Sequence, residues 1–280
     1  MHRPLRSVEI PARADAIHEK WLGQLAERLA DPREDRAELC RETLDDLWWP
    51  GHGKYEDRLA DPATPLAQRA ALFALDPRNI TLEPEYYADV HAERFARVKP
   101  LLWLWYSFDR APLAGQAVDL GLRFRRLLAG HVFARCGKNF KCFQQVEFSY
   151  GYQMEVGDDV VVHRNVLLDD RGGITLGDRV SISDYANIYS HTHSIVEQRD
   201  VTNARTIIEE DARITYHATV LAGVRVGRNG MVGANAVATK DVRPFHVNVG
   251  IPAKSIRIKP NAPPDAYVAE RIQRQPGEDR

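Results

Sequence analysis

The chain is predicted to be mainly β, a parallel β-solenoid preceded by an α-helical domain, and three observations predict it. Between Val156 and Ala238 an aliphatic residue returns at every sixth position. Four residues after each comes a small or β-branched one. The first ~130 residues lack that period, and their apolar residues recur three to five apart, as on a helix face. The frame runs Val156, Val162, Leu168, then after two extra residues Leu176, Ile182, Ile188, then after a longer break Ile208, Ile214, Val220, Val226, Val232. The companion series is Val160, Val166, Val180, Ala186, Ala212, Ala218, Val224, Gly230, Ala236. A period of six suits a chain that turns a corner every six residues and stacks short parallel strands into a three-sided prism.

In order along the chain, residues 1–135 read as a helical domain. Ile17, Trp21, Leu25 and Leu29 predict a helix that stops at Asp31-Pro32, and Leu39, Leu44, Leu47 and Trp48 a second that ends at Pro50-Gly51. A loop-rich stretch follows, with Pro62, Pro65, Pro77 and Pro84. Leu113, Ala117, Leu120, Phe124 and Leu128 predict a further amphipathic helix running into Gly130. The Trp48-Trp49 and Leu101-Trp103-Trp105 clusters read as core or interface, with an acceptor site as the other possibility. Residues 136–259 form the solenoid, which opens at Gly137-Lys138-Asn139 and has room for about five coils of about eighteen residues. So short a stack leaves ends and flat faces that caps or trimerisation must cover. Residues 260–280 are a tail with Pro260, Pro263 and Pro264 before a short helix at Tyr267–Ile272.

At 280 residues, 44% of them hydrophobic, the chain can bury a sizeable core. A net charge of -1 with mixed signs offers no basic face for nucleic acid. The first twenty residues contain no apolar signal-type run, and the most hydrophobic stretch, Leu101–Tyr106, is too short to span a bilayer. A cytoplasmic location is expected. Cys40, Cys136 and Cys142 form no CxxC pair and leave an odd thiol, which suits reduced, non-catalytic side chains.

The frame breaks between Ile188 and Ile208, and the break carries Tyr189-Ser190-His191-Thr192-His193-Ser194. A straight-walled solenoid has no pocket of its own, so a loop thrown from one corner is where catalytic groups are expected. An imidazole there can take a proton near neutral pH.

The tandem motif of an aliphatic residue followed by a small or acidic one, as in Val156-Gly157, Leu176-Gly177, Ile208-Glu209, Val226-Gly227 and Val232-Gly233, resembles the hexapeptide-repeat acyltransferases. The resemblance covers residues 136–259 and implies a left-handed parallel β-helix; the hand comes from the family, since ordinary crossovers favour the opposite one. Within that family the chain is most similar to the galactoside, maltose and polysaccharide O-acetyltransferases. Their catalytic histidine follows an Ile-Tyr turn, which places the implied general base at His193; His191 falls where they usually have a small residue and reads either as a support for that base or as a substrate contact. Their acceptor-holding turn maps onto His163, Asn165 and Asp170, with His163 standing where an asparagine is usual. The Asp169–Gly173 run also reads as a plain polar corner whose glycines supply positive φ. The run Gly233–Asp241 resembles the groove for the pantetheine arm, which implies coenzyme A contacts at Ala234, Thr239, Lys240, Lys254 and Arg257. Arg213-Ile214-Thr215 stands where relatives have Trp-Ile-Gly, removing an aromatic wall. The segment Asn248–Lys254 resembles the family's exit from the solenoid.

The resemblance thus implies an acetyl-CoA-dependent O-acyltransferase acting on a sugar or related hydroxyl, without a metal, as a homotrimer with sites between subunits. No Gly-x-Ser-x-Gly nucleophile motif points to a covalent route. Two other readings stay open. His163, His191, His193, His217 and His246 could serve a γ-type carbonic anhydrase, though the histidine spacing does not follow successive coils. Alternatively, the solenoid is an inactive trimeric scaffold.

Overall fold

In a three-sided solenoid the inward side of each short strand must be apolar and must stack on its counterpart one coil away. The computed structural model, which describes residues 9–111 and 116–264, obeys this at every frame position. All eleven frame residues from Val156 to Val232 are at most 1% exposed, and their companions are buried too. Register partners are the frame residues themselves: Val156 with Leu176, Leu176 with Ile208, Ile208 with Val226 on one wall. On the next, Val162 pairs with Ile182, Ile182 with Ile214, Ile214 with Val232. On the third, Leu168 pairs with Ile188 and Ile188 with Val220. Every extra residue is therefore expelled at a corner, and the core keeps its register through both interruptions.

The first wall holds Arg135–Cys136, Met154–Val156, Ile174–Leu176, Thr206–Ile208 and Arg225–Val226, all parallel. The second holds Lys141–Cys142, Val161–Val162, Ser181–Ile182, Arg213–Ile214, Met231–Val232 and His246–Val249, after which Lys254–Ile258 pairs antiparallel and closes the edge. The third holds Glu147–Phe148, Leu167–Asp169, Asn187–Tyr189, Thr219–Val220 and Val237–Ala238. Five full coils and the opening of a sixth result.

The first and second corners turn through single residues in left-handed conformation. Asn139, Asp159, Arg179, Asp211, Asn229 and Phe245 serve the first, and Gln145, Asn165, Tyr185, His217 and Asn235 the second, with φ between 53 and 63°. Asn and Asp dominate because their short side chains tolerate this conformation. The glycine of the tandem motif has a different cause. A Cβ on Gly157 would lie 2.8 Å from the Asp178 nitrogen and 2.9 Å from the Gly177 carbonyl carbon, so the coils approach too closely there for a side chain.

The chain divides into two compact units, Met1–Val132 and Phe133–Arg280. In the first, helices Ala12–Ala30 and Arg36–Trp48 match the sequence pattern, the second capped by Asp35, whose carboxylate accepts from the Ala37 and Glu38 nitrogens. The helix expected around Leu120 spans Val118–Val132; Leu113 lies outside the described residues, as does the Tyr267–Ile272 helix. The proline-rich stretch is not simply loop. It contains helices Tyr55–Ala60 and Leu66–Leu75 and 3-10 turns Pro77–Asn79 and Glu83–Tyr86, because Pro65, Pro77 and Pro84 sit at helix starts, where the missing N–H costs nothing. Helix Ala92–Arg110 carries the Leu101-Trp103-Trp105 cluster and is buried along most of its faces, which erases the amphipathic signal. Leu101 and Trp105 are fully buried, and Trp103 Nε1 donates to the Ala74 carbonyl at 2.8 Å, so this cluster is core. Trp21, Phe108 and Phe124 stack beside it, the two Phe rings 4.0 Å apart. No described helix is long and apolar enough to cross a membrane. Cys40 and Cys142 are buried, and burial pushes the Cys40 thiol up.

Candidate active site at the third corner

The third corner lacks left-handed non-glycine residues and takes all the insertions. Residues 149–153, 170–173, 190–205 and 221–224 stack there on successive coils. The longest folds back as a hairpin: strand His191–His193 pairs antiparallel with Val201–Asn203, His191 opposite Asn203 and His193 opposite Val201. Its base is pinned where the Ala204 nitrogen donates to the Ser190 carbonyl at 2.8 Å and its tip where the Ser194 nitrogen donates to the Asp200 carbonyl at 2.9 Å. Gly172 lies beneath, and a Cβ on it would come 2.2 Å from the Ser190 carbonyl oxygen.

His193 is exposed, and its Nδ1 lies 2.7 Å from the Gln198 carbonyl oxygen. A carbonyl only accepts, so Nδ1 carries the hydrogen, and in the neutral ring Nε2 presents its lone pair. His191 is half-buried, and its Nδ1 bonds the Asp169 carboxylate through Oδ2. Asp169 is 2% exposed, and its other oxygen accepts from Ser149 Oγ at 2.6 Å. The Ser190 hydroxyl donates to the Asp169 carbonyl at 2.5 Å and accepts from the Gly172 nitrogen at 2.7 Å. The two imidazoles stand edge to face with centroids 5.3 Å apart.

Asp170, matched by resemblance to an acceptor-holding aspartate, is fully buried and points inward. One carboxylate oxygen accepts from the Tyr150 and Gly151 nitrogens at 2.6 and 3.0 Å, the other from the Gln153 nitrogen at 3.1 Å. In this chain it fixes the preceding coil's loop. Burial pushes its carboxyl up to about 6, against the opposing pull of those three N–H donors.

His163 and Asn165 lie at the second corner, at the far end of strand Leu167–Asp169 from the hairpin. His163 stacks on Phe143 at 5.0 Å, and Asn165 is one of the left-handed corner residues. Within one chain they do not join His193. Ala234 is exposed at the same corner, next to Asn235. Thr239 and Lys240 are exposed at the third corner, two coils beyond the hairpin. Lys254 and Arg257 are exposed on the closing antiparallel strand, opposite Val249 and Val247. Arg213 is exposed as well, while Thr215 Oγ1 donates to the Val232 carbonyl at 2.8 Å. His217 stacks on Tyr185 at the second corner, and His246 is buried against Ser255 Oγ at 2.7 Å. Among the described residues no three His, Cys, Asp or Glu side chains converge as a metal would require.

Sequence reasoning missed the roles of Ser149, Asp169 and Gln198. For Asp169 a signal existed: it sits in register with Tyr189 one coil away, directly beneath the start of the hairpin.

No protein-family model matches the chain. A 137-residue stretch is 28% identical to the galactoside O-acetyltransferase of Escherichia coli K12, covering 48% of this chain and 68% of that protein. A Staphylococcus aureus (strain COL) protein classed as an acetyltransferase is 31% identical over 137 residues, 48% of this chain and 69% of its own length. Among solved structures, a maltose O-acetyltransferase from Clostridium difficile 630 aligns with a TM-score of 0.54 at 23% identity, over 62% of this chain and 91% of that one. A hexapeptide-repeat acetyltransferase from Vibrio cholerae, solved with acetyl coenzyme A, aligns with a TM-score of 0.52 at 24% identity, over 65% and 98%. The structural likenesses carry the fold, and the Staphylococcus relative carries descent. Taken with a six-residue frame in unbroken register, they establish that this chain belongs to the hexapeptide-repeat acetyltransferases.

Proposed function

We propose that the protein transfers an acetyl group from acetyl coenzyme A to a hydroxyl of a sugar or related small acceptor, with His193 as general base. The orientation of His193 carries this reading, because the Gln198 carbonyl holds its Nδ1 hydrogen and leaves Nε2 as the proton-accepting atom. The acceptor hydroxyl gives its proton to Nε2 as its oxygen attacks the thioester carbonyl carbon. The tetrahedral intermediate then collapses, the carbon–sulfur bond breaks, and the departing thiolate takes the proton back from the imidazolium. The products are an O-acetyl ester and free coenzyme A, with no acyl-enzyme. Main-chain amides supply the oxyanion donors.

The donor arm runs beside the small residues around Ala234 and past Thr239, while Lys240, Lys254 and Arg257 meet its phosphates through charge-assisted hydrogen bonds. The Vibrio protein of the same fold, solved with acetyl coenzyme A, supports that donor. A cyclic homotrimer covers the flat walls and gives His163 and Asn165 of one subunit a route to the hairpin of the next.

Calorimetric titration with acetyl coenzyme A, beside thiol release over a sugar panel, tests the reading on wild type and His193→Ala. Donor binding by both and an acceptor-dependent rate about 10²- to 10⁴-fold lower in the variant is the expected result. A variant with wild-type turnover removes His193 from the base role, and absence of donor binding removes the whole reading.

A further inference from the structure

His191 and His193 are two residues apart on one strand, so both side chains leave the same face of the hairpin. Each has its Nδ1 occupied, His193 by the Gln198 carbonyl and His191 by the Asp169 carboxylate. Asp169 cannot turn away, because Ser149 Oγ holds its second oxygen and burial fixes the rest. The neutral form of each ring then offers Nε2 as an acceptor, and the rings stand 5.3 Å apart, edge to face. Two side-by-side acceptors complement two side-by-side donors on one small molecule, each within the usual hydrogen-bond reach of about 3 Å. An attacking hydroxyl engages only one of them.

We infer that His191, positioned by Asp169 and Ser149, accepts a hydrogen bond from a hydroxyl neighbouring the one His193 deprotonates, so that the site selects acceptors carrying a 1,2- or 1,3-diol. This rests on the proposed role of His193 as base and adds the substrate class. No bond forms or breaks at His191: it holds the acceptor and leaves the proton transfer to His193. A divalent cation is the other occupant two such nitrogens could grip, but no third ligand joins them among the described residues.

The test uses the full chain with acetyl coenzyme A and methyl galactoside and methyl glucoside, each beside its monodeoxy counterparts, with the site of esterification read by NMR. In wild type, removing the hydroxyl next to the esterified one lowers kcat/KM about tenfold, mainly through KM, the loss of one hydrogen bond. His191→Ala loses about tenfold on the parent sugar and much less on that deoxy analogue, so the discrimination falls to within about twofold. Asp169→Asn moves the same way, and His191→Gln, which keeps an oxygen acceptor, restores part of the discrimination. If His191→Ala slows both acceptors equally and the ratio survives, the inference is overturned. Activity lost to a chelator and restored by zinc overturns it in favour of a metal. His193→Ala with wild-type kcat would instead sink the base assignment, and no transfer to any hexoside would sink the sugar reading together with this one.

Discussion

At the second corner of the prism one left-handed residue turns the chain, coil after coil: Gln145, Asn165, Tyr185, His217, Asn235. At the third corner the same chain uses up to sixteen residues, 190–205, and its positive-φ positions are glycines such as Gly151, Gly173 and Gly223. The second corner is fixed by the walls on either side. The third is released from them, and there the buried carboxylates, the hairpin and its two imidazoles collect. A solenoid thus confines variation to its corners, here to one of them, because an insertion inside a wall would shift the frame residues out of register with the coils above and below. Rigid walls then hold a loop-borne site in place.

Substitutions on the two sides of this divide should therefore affect different properties. The largest stability effect is expected inside the walls. Ile214 is fully buried and stacks between Ile182 and Val232. Ile214→Ala should cost about 2–5 kcal/mol in denaturant unfolding, while His193→Ala, on an exposed hairpin, should stay within about 0.5 kcal/mol of wild type. Comparable losses in the two variants would show that the hairpin is part of the structural core.

Asp170 sits at the boundary, a third-corner residue with a structural task. Burial raises its folded pKa to about 6, above the ~3.9 of an unfolded aspartate. The folded protein therefore binds this proton more tightly, so the contribution to stability is fully present below about pH 4 and is lost as pH rises through about 6. The shift corresponds to about 3 kcal/mol by neutral pH. Carbon NMR of the Asp170 carboxyl between pH 3 and 8 should show a midpoint near 6, and a midpoint below 4 would mean that the Tyr150, Gly151 and Gln153 N–H groups outweigh burial.

The same divide marks what was legible in the sequence. The walls were, because burial writes a period of six directly into residue type, and every residue of that frame is buried. The break in the frame also located the loop that folds as the hairpin, while the choice of His193 within it came from the family resemblance. The Asp169–His191 pair was legible only in part: the frame sets Asp169 beside Tyr189, but the last two residues to His191, twenty-two positions from Asp169, run into the hairpin, whose fold the period does not give. The separation of Asn165 from His193 followed from wall assignment, which the period alone does not number. In the helical unit the prolines read as loop because their helix-starting role depends on position within the turn, and Ala92–Arg110 was hidden by being buried on most sides.

The smallest expected effect addresses the corners themselves. Asn235 is exposed, with φ 56°, and its nitrogen donates to the Tyr216 carbonyl at 2.9 Å, a main-chain bond that any residue but proline can make. If the corner demands left-handed backbone and nothing more, Asn235→Ala should cost about 1 kcal/mol, a melting shift of about 2–4 °C. Asn235→Gly should stay within about 0.5 kcal/mol of wild type, because relief of strain offsets the added chain entropy. Thr239, exposed at the third corner and outside the left-handed set, should tolerate alanine with a change of a few tenths of a kcal/mol. Thermal melts of the three variants separate the cases. Equal losses for Asn235→Ala and Asn235→Gly would assign the cost to the asparagine side chain, and equal losses for Asn235→Ala and Thr239→Ala would mean that the two corners make the same demand on the backbone.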